Sequence, residues 1–152
     1  MRKAAMTAFG RMPAPLRRAA VRAGTPSYTV GAVALLARAD GHLLFVDQRH
    51  SEAWALPGGL LRRGEQPEDA VVREVAEEVG VSLDRSELPV PVAAVNARVR
   101  RVDLVYMLDA PADAQPHQED EAEVRRVGWF AIDQLPDLSE PTLEILRAVR
   151  VL

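Results

Sequence analysis

Apolar and polar positions alternate in blocks along this chain. Tyr28 to Arg38 (YTVGAVALLAR) and His42 to Asp47 (HLLFVD) are apolar and rich in β-formers, and the Asp40-Gly41 pair between them signals a hairpin. Trp54-Ala55-Leu56 makes a short third segment. Pro57-Gly58-Gly59 breaks it, at a place where backbone can approach something closely. Pro67 to Val79 reads as a helix: proline lies in its first turn, Glu68 and Asp69 lie near its positive end, and Gly80 follows its last residue. Leu88 to Val99 and Val102 to Leu108 are further strand candidates, the first an edge or irregular strand because of Pro89 and Pro91. Ala110 to Glu123 is a polar, proline-bearing loop, Val124 to Ile132 is strand-like, and Glu140 to Leu152 is an amphipathic closing helix.

The predicted helix has two unlike faces. Ala70, Val71, Val75 and Val79 form an apolar stripe suited to packing on a sheet. Glu74, Glu77 and Glu78 fall within an arc of about 100° on another face. Like charges so placed destabilise a bare helix by a few tenths of a kcal/mol per pair, and Arg73, four before Glu77, offsets only part of this. Taken alone such a cluster is most often a solvated face. The chemical reading is that an oxygen-only site with several carboxylates suits a hard dication such as magnesium.

Composition narrows the chemistry. The chain has 152 residues, one domain's length, and no cysteine. Disulfides, thiolate zinc sites and a cysteine nucleophile are thereby excluded, which is compatible with a reducing, cytoplasmic setting. The formal charge of -3 argues against a nucleic-acid groove over the whole domain. Residues 1–25 stand apart: Arg2, Lys3, Arg11, Arg17, Arg18 and Arg22 occur there without an acid. We read them as a basic extension with a short helix after Pro15, preceding a domain from 26 to 152. Lys3 is the only lysine, so an arginine bias of the coding sequence accounts for this composition without a transit segment. No apolar run approaches the roughly 18 residues that a membrane span needs.

From Gly59 the chain reads Gly59, Glu65, Arg73-Glu74, Val75, Glu77-Glu78, Gly80 and Val81, the pattern G-x5-E-x7-R-E-U-x-E-E-x-G-U with U aliphatic. This resembles the Nudix box at every specified position, and a chance match has a probability of about 10^-7 from the chain's own composition. Trp54 to Gly59 (WALPGG) and Trp129-Phe130 through Leu135-Pro136 are similar to the family's entry and exit segments, so the likeness covers roughly Tyr28 to Leu152.

The resemblance implies an α/β/α sandwich around a mixed β-sheet, with the box as a loop-helix-loop beside it. It implies a magnesium-dependent hydrolase, manganese substituting, that cleaves the diphosphate linkage of a nucleoside diphosphate derivative of the nucleotide-sugar or nucleoside-triphosphate type. The family's metal ligands map to Glu74, Glu77 and Glu78 with the Gly58 carbonyl; Arg73 maps to the residue that orients Glu74, and Glu65 to one that steadies the loop or reaches a second metal. A catalytic acid or base on the late loop falls to Glu123 or to Glu121. His117 in that loop reads as solvent-exposed, and His42 and His50 show no ligand pattern.

Substrate recognition is left to residues outside the box. Trp54, Phe45, Tyr106 and Phe130 are stacking candidates that also suit a core, and Asn96 is a candidate for facing a base. The proline that marks many ADP-ribose hydrolases is not at Asn96 or its neighbours. Three other readings stand beside the hydrolase: a non-catalytic nucleotide-sensing module, which an intact box disfavours; an isoprenoid diphosphate isomerase on the same fold, which the lack of cysteine disfavours; and an RNA 5′-end pyrophosphohydrolase aided by the basic extension. The expected partner is a small nucleotide, with no stable nucleic-acid complex, and homodimer formation stays open.

Overall fold

A computed structural model of the chain describes residues 12–111 and 114–152. The Arg2, Lys3 and Arg11 part of the basic extension lies outside them. The first described element is helix α1, Ala14–Gly24, with proline in its first turn and no buried residue. Its apolar side therefore packs on nothing described.

The strands are β1 (Thr29–Ala37), β2 (Leu43–Gln48), β3 (Trp54–Ala55), β4 (Gly58–Leu60), β5 (Val92–Asn96), β6 (Arg101–Asp109) and β7 (Val124–Phe130). Helix α2 is Pro67–Val79, helix α3 is Glu140–Ala148, and Arg85–Glu87 is a turn of 3₁₀ helix. The strands form one mixed sheet. Its main order is β3-β2-β1-β6-β5, with β4 paired to β1 and β7 to β2. β1 runs parallel to β6, and the other pairs are antiparallel.

Period-2 alternation in β1 divides the core into two layers. Ala32, Ala34 and Leu36 face Ala70, Val71, Val75 and Val79 of α2. Val33 and Leu35 face the side covered by Ile145 and Leu146 of α3. Val71, Val75 and Val79 are fully buried, each worth on the order of 2 kcal/mol in transfer from water. The apolar stripe read from the sequence is thus the reason α2 lies on the sheet, and the arrangement is the expected α/β/α sandwich. Phe45 and Tyr106 are fully buried core.

Some expectations need correction. Pro57-Gly58-Gly59 does not only break a strand: Gly58–Leu60 is itself a strand on β1, with Gly31, Ala32 and Val33 opposite Leu60, Gly59 and Gly58. Gly58 has φ +141°, and a Cβ there would lie 2.6 Å from the Val33 Cα. Only glycine permits that approach. The strand expected over Leu88 to Val99 shrinks to Val92–Asn96, at the sheet edge where its prolines predict it to be. The closing helix ends at Ala148 rather than Leu152. No helix of the described residues is long and apolar enough to cross a membrane.

Candidate active site

Helix α2 begins with proline at its first turn and ends at Gly80, whose φ of +66° caps the C-terminus. These signals fix which side chains face β4. Glu78 points inward: its residue is only 3% exposed. One carboxylate oxygen accepts from the Gly58 amide at 2.8 Å and the other from Gln48 Nε2 at 2.9 Å. Burial pushes its pKa up to about 7; the two hydrogen bonds oppose this, and the charges of Glu74 and Glu123 add to it.

Glu74 lies one turn earlier, against β4. A Cβ on Gly59 would sit 2.6 Å from the Glu74 carboxyl carbon, so the second glycine makes room for that side chain. Arg73 collects the acids around it. Its Nη1 lies 2.6 Å from Glu74 and 3.1 Å from Glu77, and its Nε donates to Glu65 at 2.8 Å. Arg73 therefore offsets more of the acidic cluster than its i,i+4 spacing to Glu77 alone provides.

Glu65 also accepts from the Arg62 amide at 2.6 Å. The Arg73 guanidinium, with that amide, holds its pKa down at about 2. The loop that leads into α2 is thereby tied to the helix. Glu77, by contrast, sits on the exposed flank of α2 and pairs with Arg62 at 3.3 Å as well as with Arg73.

Beside this machinery lies a cavity of about 620 Å³, lined on one side by Gly58, Gly59, Glu74 and Glu123 and on another by Ser139 and Thr142 at the start of α3. Gln48 and His50 also line it. The structure thus brings Glu74, Gly58, Glu123 and the buried Glu78 together. Glu77, Glu78 and Glu121 are not among the cavity's lining residues: Glu78 sits behind Gly58, and the Glu121 carbonyl accepts from Arg49 Nε at 2.6 Å.

Trp54 and Asn96 lie elsewhere. The Trp54 ring packs edge-on against Phe130, centroids 4.9 Å apart, with the Arg126 guanidinium 5.3 Å from it. Its backbone bonds to Asp137 and Ser139 and so holds the entry to α3. Asn96 Nδ2 donates to Glu144 between β5 and α3, outside the cavity that Glu74 and Glu123 line. His117, expected in solvent, is exposed, yet its ring crosses Gly80 and bonds to Glu119 at 2.7 Å.

Several residues of the site carried no motif. Gln48 is thirty positions from the Glu78 it supports. Asp47 is 3% exposed between Arg125 and Arg126, each 2.7 Å away, and the Arg125 hydrogen bond foremost holds its pKa below the ordinary range. Asp103, also buried, pairs with Arg101. A signal was present, since Asp103 interrupts an apolar strand run and Asp47 closes one, and a charge placed there needs a partner.

Among the described residues no three Asp, Glu or His groups already converge closely enough to hold a cation. The chemistry of the donors nonetheless fits one. All are oxygens, and a buried carboxylate whose ionisation is opposed by two neighbouring carboxylates is short of positive charge.

The same chain matches known proteins along most of its length. The NUDIX domain family model matches residues 27–149. A crystal structure of a MutT NUDIX hydrolase from Burkholderia pseudomallei superposes with a TM-score of 0.67 at 32% identity, over 82% of this chain and 99% of that one. A MutT-like protein of Streptomyces ambofaciens is 40% identical over 63 residues, covering 41% of each chain. An m7GpppN-mRNA hydrolase of Caenorhabditis elegans is 28% identical over 71% of this chain, but the match spans 14% of that protein. The chain thus spans less than half the length of the curated relatives named here. A sandwich of this topology, an acidic helix pinned to a glycine strand, and a family match from residue 27 to residue 149 together place the chain in the Nudix hydrolase family.

Proposed function

We propose that the protein hydrolyses the diphosphate linkage of a nucleoside diphosphate derivative, with magnesium as its cation and manganese able to replace it. The observation that carries this is Glu78: a buried carboxylate, raised to about 7, bonded to Gly58 and near Glu74 and Glu123, three residues that line an open cavity. A carboxylate so placed is costly unless positive charge arrives to balance it.

Glu74 and Glu78 would hold the cation, with the Gly58 carbonyl as a further oxygen. Glu77 would join them on exchanging its Arg62 contact. When bound, the cation supplies charge neutralisation of the diphosphate and Lewis-acid polarisation of a phosphoryl oxygen.

The chain's own residues do the rest. Gly58 and Gln48 fix both oxygens of Glu78, so the carboxylate needs no reorientation as substrate arrives. Arg73 aims Glu74 and is itself locked by Glu65. Glu123 would take a proton from an attacking water; its position on the cavity wall supports it over Glu121, which does not line the cavity. The cavity between β4 and α3 is where substrate would lie.

The test is a panel of nucleoside diphosphate derivatives, nucleoside triphosphates and capped or triphosphorylated RNA 5′ ends, assayed with magnesium and with chelator. The proposal expects nucleoside monophosphate or pyrophosphate release from a small nucleotide, abolished by chelator. Binding across the panel without turnover would instead support a sensing module.

A further inference from the structure

The cavity that holds the acidic residues has one cationic wall residue of its own. Among the described residues that line it, Arg101 is the sole arginine or lysine. It is outside the family motif and is placed by a local device. Its Nε donates to both Asp103 oxygens at 2.8 and 2.9 Å, and Nη2 lies 2.7 Å from Oδ1. Asp103 is 4% exposed, so the pair is anchored at its acidic end and open at its basic end. Among the described residues nothing accepts from Nη1.

The pair exists because β1 carries Gly31 opposite Asp103 in the parallel register. A Cβ at Gly31 would collide with the Asp103 carboxylate and would lie 3.0 Å from Arg101 Nη2 and 3.2 Å from the Gly59 carbonyl. Gly59 is the residue that also makes room for Glu74. The guanidinium and the Glu74 carboxylate lie on either side of Gly59 and line the same cavity. Arginine held in a fixed fork suits phosphoryl oxygens, and pre-orientation by a carboxylate lowers the ordering cost of using it.

We propose that Arg101, held by Asp103, binds a non-bridging oxygen of the substrate's diphosphate from the side of the cavity across from α2. The inference rests on the proposed diphosphate substrate. Arg101 touches substrate, and Asp103 is a positioning residue that acts through it. This contact does not depend on the base, so it contributes to binding every diphosphate the site accepts.

The experiment measures binding of two non-hydrolysed probes in the presence of magnesium by calorimetry: α,β-methylene ADP, and methylenediphosphonate, which has no nucleoside. Arg101→Gln is expected to weaken both by at least about tenfold and by similar factors, Arg101→Lys by less. Asp103→Asn is expected to weaken both while leaving Mn²⁺ binding, followed by electron paramagnetic resonance, unchanged. Arg101→Gln leaves Asp103 buried without its cation. Should it not fold, the double variant with Asp103→Asn carries the same expectation. Unchanged affinity for both probes in a folded variant overturns the proposal. So does a loss confined to methylene ADP, which would make Arg101 a reader of the nucleoside. If the wild type binds neither probe, the diphosphate reading fails with it; if the wild type binds both, only the role of Arg101 is at stake.

Discussion

The Gly58 amide donates to the Glu78 carboxylate at 2.8 Å, joining a three-residue strand to a helix twenty positions later. This bond fixes Glu78 in the fold before any ligand is present. Because Gln48 donates to the other oxygen, each carboxylate oxygen has a hydrogen bond. What remains unbalanced is charge. Replacing Glu78 with Gln keeps the shape and most of the hydrogen bonding but removes that charge. Turnover is expected to fall at least about a hundredfold, on the scale of losing a principal electrostatic group, with the circular dichroism spectrum unchanged. Activity within a few fold of wild type would remove Glu78 from the machinery.

Glu78 also sets a pH dependence. Its pKa in the fold is raised to about 7 from an unfolded value of 4.5, so between these the folded state binds more protons than the unfolded state. Stability therefore falls as pH rises through that window and levels off above it, by on the order of 3 kcal/mol in total. Glu65 and Asp47, held low by arginines, are ionised in both states across most of the window and act only at lower pH. Thermal unfolding from pH 4.5 to 8 without divalent ions is expected to show the decline, and millimolar Mg²⁺ to reduce it. A Tm that climbs steadily to pH 8 in chelator contradicts this assignment.

Arg73 is the common partner of Glu65, Glu74 and Glu77. Removing it leaves three acids facing one another, two of them largely covered. Arg73→Gln is expected to cost about 1–3 kcal/mol of stability and at least about tenfold in kcat. Glu65→Gln should share the loss of stability, and the double variant should lose less than the sum of the two. Additive losses measured by denaturant unfolding would show that the pair does not act as a unit.

Gly58 and Gly59 differ in what a methyl group would meet. At Gly58 it strikes the Ala32 carbonyl and Val33 of β1, and at Gly59 it strikes the Glu74 side chain. Gly58→Ala is expected to destabilise the fold by about 3 kcal/mol or more. Gly59→Ala should leave Tm closer to wild type and lower kcat, because Glu74 must turn away. Equal Tm losses in the two variants would contradict this division.

Much of this was legible in local residue patterns, and the rest depends on strand register. Helix α2 matched its expected bounds because Pro67, the acids of the first turn and Gly80 are local signals that act over one or two turns. Its carboxylate face and its valine face were both visible at 100° per residue. β4 was missed because Gly58-Gly59 has little β-propensity of its own; pairing with β1 makes it a strand. Gln48 under Glu78 and Asp103 beside Gly31 are likewise products of register, which short-range spacing does not contain. Asn96, a candidate for facing a base, is carried by β5 to the sheet edge, where it bonds to Glu144 outside the cavity of the acidic residues. Glu77 shares a helical arc with its neighbours but lies at its exposed edge, where it pairs with Arg62.

The most direct measurement is a Mn²⁺ titration followed by electron paramagnetic resonance, with and without α,β-methylene ADP, on the wild type and on Glu78→Gln. Saturable uptake by the wild type, strengthened by the nucleotide and weakened at least about tenfold in the variant, is the result this account predicts. No uptake by the wild type with nucleotide present, or uptake equal in the two proteins, would contradict it.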